Sequence, residues 1–178
     1  MKTLILDKLN WKALVNGRII TALCDYLIIE DKEDDMMVEE DLIGKTAVVV
    51  WEQYIKNCKQ GFVLDDEVDW SLLENEFEQI KERDPDVKAY ACTYSIEYND
   101  NGMYMYCDNL WLKTKLPIIQ VAEVFSKYRQ IEPYNISELT DDEKETVEVF
   151  IDKDFHYCDF STAMDEFTEQ NIISMYWD

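Results

Sequence analysis

The side chains of this sequence best supplied for chemistry are carboxylates. Asp and Glu number 39 against 17 Lys and Arg in 178 residues, a formal net charge of −22. Two stretches space them at helical intervals. Over Ser71–Arg83, Glu74, Glu78 and Glu82 recur every four residues, with Glu76 beside them. Over Asp141–Asp152, the positions Asp141, Glu145, Glu148 and Asp152 step by four, three and four. Four residues of helix rise about 6 Å, and phosphates along one DNA strand repeat at about 3.4 Å of axis. A carboxylate row on a rigid helix can therefore occupy a groove built for a nucleic-acid backbone. The same spacing also describes a solvated helix face. A second patch is formed by Asp34, Asp35, Glu39, Glu40 and Asp41.

Other chemistries find little material. Loops that cradle phosphates need several glycines at a helix start, and the sequence has 4 in all. The single histidine, His156, stands two residues from Cys158. A strand would put both on one face, but no third group is identifiable to orient them, so a structural role is the expectation. A nucleophilic thiol also needs a depressed pKa, which acidic surroundings oppose. Asp31–Asp35 lacks the glycine-containing pattern of an EF-hand calcium loop. No catalytic residue, metal or cofactor is expected, and the chain is read as a non-enzyme. Paired-carboxylate chemistry cannot be located among so many acids, so an enzyme with an unmarked carboxylate site stays as an alternative.

The elements that must hold these acids read as mixed. Asp69–Arg83 predicts a helix, with Ser71 and Glu74 as a capping box, Leu72, Leu73, Phe77 and Ile80 as its apolar stripe, and Asp84-Pro85 as its stop. Tyr90, Cys92, Tyr94, Ile96 and Tyr98 alternate as a strand, Asn99–Gly102 turns, and Met103–Leu112 returns. Thr3–Leu9 reads as a strand, and Asn16-Gly17 as a hairpin turn between Leu14-Val15 and Ile19-Ile20. The stretch Ile19–Ile29 is apolar in either period. Helices are expected over Thr46–Lys59, from Pro117 through Arg129, and over Asp141–Asp152 with Thr140 as cap and acids in the first turn. Ser161 is read as the cap of a last short helix and Ile172–Trp177 as a closing strand. The fold class expected is α+β, an antiparallel sheet with several helices packed on it, in one domain over residues 1–178.

Composition narrows the function classes. Aromatics make up 13% and hydrophobic residues 47%, which sets the chain apart from acidic disordered sequences. The charge is blocked: residues 25–41 hold nine acids against one base, 65–86 ten against two, and 137–178 thirteen against two. Those blocks supply −27, while residues 1–24 and 110–129 are each +3. Such a field repels nucleic acids and anionic membranes and steers basic surfaces toward it. Solubility alone does not ask for blocks. The five cysteines are odd in number and form no CxxC pair, so reduced thiols in a cytoplasm are expected. Leu4-Ile5-Leu6 is broken at once by Asp7 and Lys8, so no signal peptide is expected, and no apolar run approaches the roughly 18 residues of a membrane helix.

In size, charge, charge blocks and aromatic content the sequence resembles the small acidic anti-defence inhibitors of phages and mobile elements, the antirestriction and anti-CRISPR nucleic-acid mimics. The resemblance spans the whole chain and rests on no shared motif. It implies a cytoplasmic protein of a bacterial host cell that occupies the nucleic-acid channel of a Cas or restriction nuclease. Glu74, Glu78, Glu82, Asp141, Glu145 and Glu148 would pair with the Lys and Arg that hold phosphates, since Arg forks accept carboxylate and phosphate alike. An immunity protein that neutralises a basic nuclease toxin would use the same physics.

Overall fold

The computed structural model describes residues 3–7, 26–30, 42–64, 69–99, 102–154, 156–168 and 171–178. Strands β1 (Thr3–Asp7) and β2 (Tyr26–Glu30) pair antiparallel as a two-stranded sheet of their own. The larger sheet is built from β3 (Ala47–Val50), β4 (Lys88–Asn99), β5 (Gly102–Lys113), β6 (Asn135–Glu138), β7 (Val149–Ile151), β8 (Tyr157–Asp159) and β9 (Ile172–Tyr176). Its seven strands run in the order β6-β9-β5-β4-β3-β7-β8. Every pairing is antiparallel except the parallel β3–β7. Helices α1 (Trp51–Cys58), α2 (Trp70–Arg83), α3 (Ile118–Phe125), α4 (Asp141–Glu145) and α5 (Phe160–Ala163) complete an α+β fold.

Alternation along the strands sorts side chains to two faces. Ala47, Val49, Ala91, Leu110, Leu112, Ile173 and Met175 point to the first face, where Trp51 and Tyr54 of α1, Leu73 and Ile80 of α2, and Val121 and Phe125 of α3 cover them. Val48, Tyr90, Trp111 and Ile172 point to the second, where Phe160 of α5 and Phe167 of the following 3-10 turn close over them. Most described aromatic rings are thereby spent inside. Phe62 alone contacts Trp51, Tyr54, Trp70 and Trp177. Gly61 is required beside it, because a Cβ there would lie 2.2 Å from the Met105 carbonyl oxygen.

Several expectations are corrected. The helix read from Thr46 begins only at Trp51; Ala47–Val50 is a strand. That strand is central and buried on both faces, so its apolar run carries no polar alternation. The helix after Pro117 ends at Phe125, short of Arg129. The helix read over Asp141–Asp152 stops at Glu145, because β-branched Val149 and Ile151 are drawn into the sheet beside β3. The capping box belongs to Thr140 and Glu143, whereas α2 is capped by Asp69, whose carboxylate accepts from the Ser71 amide at 3.0 Å. Ser161 lies inside α5, which Asp159 precedes. The Asn16-Gly17 turn lies outside the described residues.

Candidate functional site

Glu74, Glu78 and Glu82 are all exposed along the outer side of α2. Leu73 and Ile80 anchor the opposite side in the first core, with Phe77 packed against it. Lys81, 4.0 Å from Glu78, is the cation that pairs on this row, and both partners are exposed. Glu74 and Glu78 also rim a cavity of about 190 Å³ between α1 and α2, floored by Trp51, Ile55, Trp70 and Phe77. A long basic side chain laid there would bury its stem on rings and meet carboxylates with its head.

Glu76 does not belong to that row. It is 0% exposed, and among the described residues neither carboxylate oxygen has a hydrogen-bond partner. Burial pushes its pKa from 4.5 up to about 8; Lys127 opposes this and Glu132 adds to it. The Tyr128 amide also favours the charged form.

The second predicted row is not a row. Asp141 and Glu145 are exposed on the five-residue α4, with Asp141 3.1 Å from Lys144. Glu148 lies beyond the helix, its Oε2 3.4 Å from the Thr46 amide. Asp152 lies beyond β7 and accepts the Asp154 and His156 amides, each at 2.8 Å on Oδ1. Moreover, α4 is flanked by Leu139 and Val147, which pack into the second core, whereas α2 packs into the first. The two acid groups therefore sit on opposite faces of the sheet. Asp34, Asp35, Glu39, Glu40 and Asp41 lie outside the described residues.

Asp152, Asp154 and His156 bring one potential ligand atom each within 4.8 Å of one another. Asp152 Oδ2 is also 3.4 Å from His156 Nδ1. These contacts close the turn between β7 and β8. Burial, then Asp152 and Asp159, raise the Cys158 thiol, the opposite of what activates a nucleophile.

A feature missed by the sequence reading lies on the second face, away from α5. Tyr94 of β4, Tyr106 of β5 and Tyr176 of β9 share it, with Tyr134 just before β6. Tyr94 and Tyr106 stack at 6.4 Å and are 53% and 37% exposed. Tyr134 meets Tyr176 edge-on at 6.3 Å and is 78% exposed. Between them lies Asp108, the extra residue of a bulge in which Cys107 and Asn109 oppose the consecutive Thr93 and Cys92. Asp108 is only 7% exposed. Tyr94 favours its charged form, yet among the described residues the buried Oδ1 has no hydrogen-bond partner. Burial raises the Asp108 pKa and the Asp178 charge adds to it. Burial and the Asp108 charge push Tyr94 up to about 12. Alternating tyrosines signalled a strand; a bulge that sinks one aspartate among them has no signature in composition.

No family model matches the chain, and no curated protein or solved structure matches it at a significant level. Among the described residues, no helix is long and apolar enough to cross a membrane.

Proposed function

We propose that this protein is a non-enzymatic inhibitor that binds the basic, phosphate-holding surface of a nucleic-acid-handling enzyme, a CRISPR–Cas or restriction nuclease of a bacterial cell, and competes there with nucleic acid. The observation that carries this reading is the exposed Glu74, Glu78 and Glu82 row on α2, anchored by its apolar side and, among the described residues, paired only through Lys81 to Glu78. A row held on a packed helix presents its charges without the entropy loss a flexible acidic tail suffers on binding. The −22 net charge supplies long-range steering toward such a surface. Because the α4 acids face the other way, the α2 row and its aromatic cleft form the contact with the phosphate-binding groove.

The test is displacement. Purified Cas and restriction nucleases loaded with labelled DNA are challenged with the protein at about 0.15 M salt. DNA release by the parent protein is expected, with weaker release by the Glu74→Gln/Glu78→Gln/Glu82→Gln variant. Failure to displace DNA from any of them, or a gel shift of DNA by the protein itself, overturns the reading.

A further inference from the structure

The geometry points to the tyrosine face around Asp108 as a second recognition surface, one that takes an arginine-bearing basic segment of a protein partner. It rests on reading the chain as a binder of basic proteins, but it stands on different residues and the opposite face of the sheet from the α2 row.

Two independent observations support it. The first is a set of tyrosine rings on one face: Tyr94 stacked on Tyr106, both exposed, and exposed Tyr134 against half-buried Tyr176. Elsewhere the described aromatics are largely drawn into the two cores, so three exposed tyrosines grouped around a half-buried fourth are not packing material. The second is Asp108, a carboxylate more than nine-tenths buried beneath them with an oxygen that has no hydrogen-bond partner among the described residues. Among the described residues no Lys or Arg forms an ion pair with it. A buried, half-satisfied acid is destabilising unless something answers it, and Asp178 makes the local field more negative.

What answers such a surface is a cation that tolerates desolvation and lies flat on rings. A guanidinium does both: it is weakly hydrated, planar, and stacks on aromatic faces while its N–H groups reach a carboxylate. An ammonium is a compact, strongly hydrated charge and matches the rings less well. Charge complementarity therefore selects a basic segment over an apolar or acidic one, and the rings select arginine over lysine. Tyr94 is the entry point. Its ring is half exposed and interacts with the carboxylate that the guanidinium would engage.

The experiment uses the full chain with labelled tyrosine rings, titrated with capped tri-arginine or tri-lysine and followed by nuclear magnetic resonance at about 0.15 M salt. Saturable shifts of Tyr94, Tyr106 and Tyr176 are expected, with tri-arginine binding about fivefold tighter than tri-lysine. Tyr94→Ala/Tyr106→Ala should weaken tri-arginine binding about tenfold. Asp108→Asn, which keeps the side-chain shape should the tyrosine variant misfold, should abolish the preference for arginine. The Glu74→Gln/Glu78→Gln/Glu82→Gln variant should bind the peptide as the parent does, so failure of the nuclease reading and failure of this one are separate results. Equal binding of both peptides, shifts spread over the whole acidic surface, or unchanged affinity in both variants overturns the assignment. So do ring shifts that depend on protein concentration without peptide, since they make a second copy the occupant.

Discussion

At the scale of single residues, two buried carboxylates show how partners decide what a charge does. Asp84 accepts from the Thr114 hydroxyl at 2.7 Å and from the Lys115 and Asp86 amides at 2.8 and 3.3 Å. Burial pushes its pKa up, but these bonds outweigh it and hold the group below the ordinary value. Its stabilising contribution is present above the unfolded pKa and is lost as pH falls through the folded one. Glu76 has the opposite sign. Its folded pKa of about 8 lies above the ordinary 4.5, so the folded chain keeps a proton the unfolded chain has released. Stability drains away between those two values as pH rises, then levels off above the folded pKa. Glu76→Gln removes the titration. The variant should match the parent near pH 4.5 and gain on it up to pH 8, by about 2 to 4 kcal/mol. Urea unfolding of both proteins across that range measures the difference. A gap that stays constant with pH would mean Glu76 is ionised and paired in the folded protein. The sequence placed Glu76 among its exposed neighbours because identity alone does not separate a glutamate on the apolar stripe from one beside it.

At the scale of elements, α2 was legible and α4 was not, for reasons that lie outside the helices. The stripe Leu73, Phe77 and Ile80 specified α2 without help, while its start rested on a local motif that Asp69 pre-empts two residues earlier. Asp69→Ala should therefore lower the melting temperature by a few degrees, on the order of a lost helix cap. Ser71→Ala should cost less, since Ser71 supplies the cap with a donor and not an acceptor. Thermal unfolding of the two variants decides which residue is the cap, and equal losses would restore Ser71 to that role. For Asp141–Asp152, helical spacing of the acids was real in the sequence but competed with Val149-Phe150-Ile151, which pair with β3 some hundred residues earlier. Long-range pairing of that kind leaves no local trace, and the same blindness made β3 look like the first turn of α1. The consequence for function is direct. Replacing Asp141, Glu145 and Glu148 by Asn, Gln and Gln should leave displacement of DNA from a nuclease nearly intact, whereas the α2 triple variant weakens it. Equal losses from the two variants would mean that one partner wraps both faces of the sheet.

At the scale of the whole molecule, charge and fold pull against each other. The α+β class, the helices on a largely antiparallel sheet and the closing strand at Ile172 could be read from periodicity, because two faces of apolar residues were visible along β4, β5 and β9. The tyrosine face could not, since it arises from strands brought together across the chain and from a bulge. What composition does dictate is self-repulsion: −22 charges on 178 residues raise the free energy of the compact state relative to the expanded one. Salt relieves that. Raising ionic strength from about 0.01 to 0.15 M shortens the screening length from about 30 to 8 Å, less than the span of the sheet. The melting temperature should therefore rise over this range at constant pH. The complex with a basic partner should respond with the opposite sign, its association slowing as steering is screened. Differential scanning calorimetry of the free protein and stopped-flow association with the nuclease, run in the same sodium chloride series, read both terms. If the melting temperature instead fell with salt, attractive ion pairs would outweigh repulsion in the folded state. That is hard to reconcile with the ion pairs of the described residues, most of which join exposed groups and which as surface pairs contribute little. A rising melting temperature with salt-insensitive association would place recognition on short-range contacts. The tyrosine face would then carry the partner, and the acidic field would serve only to keep the chain dispersed.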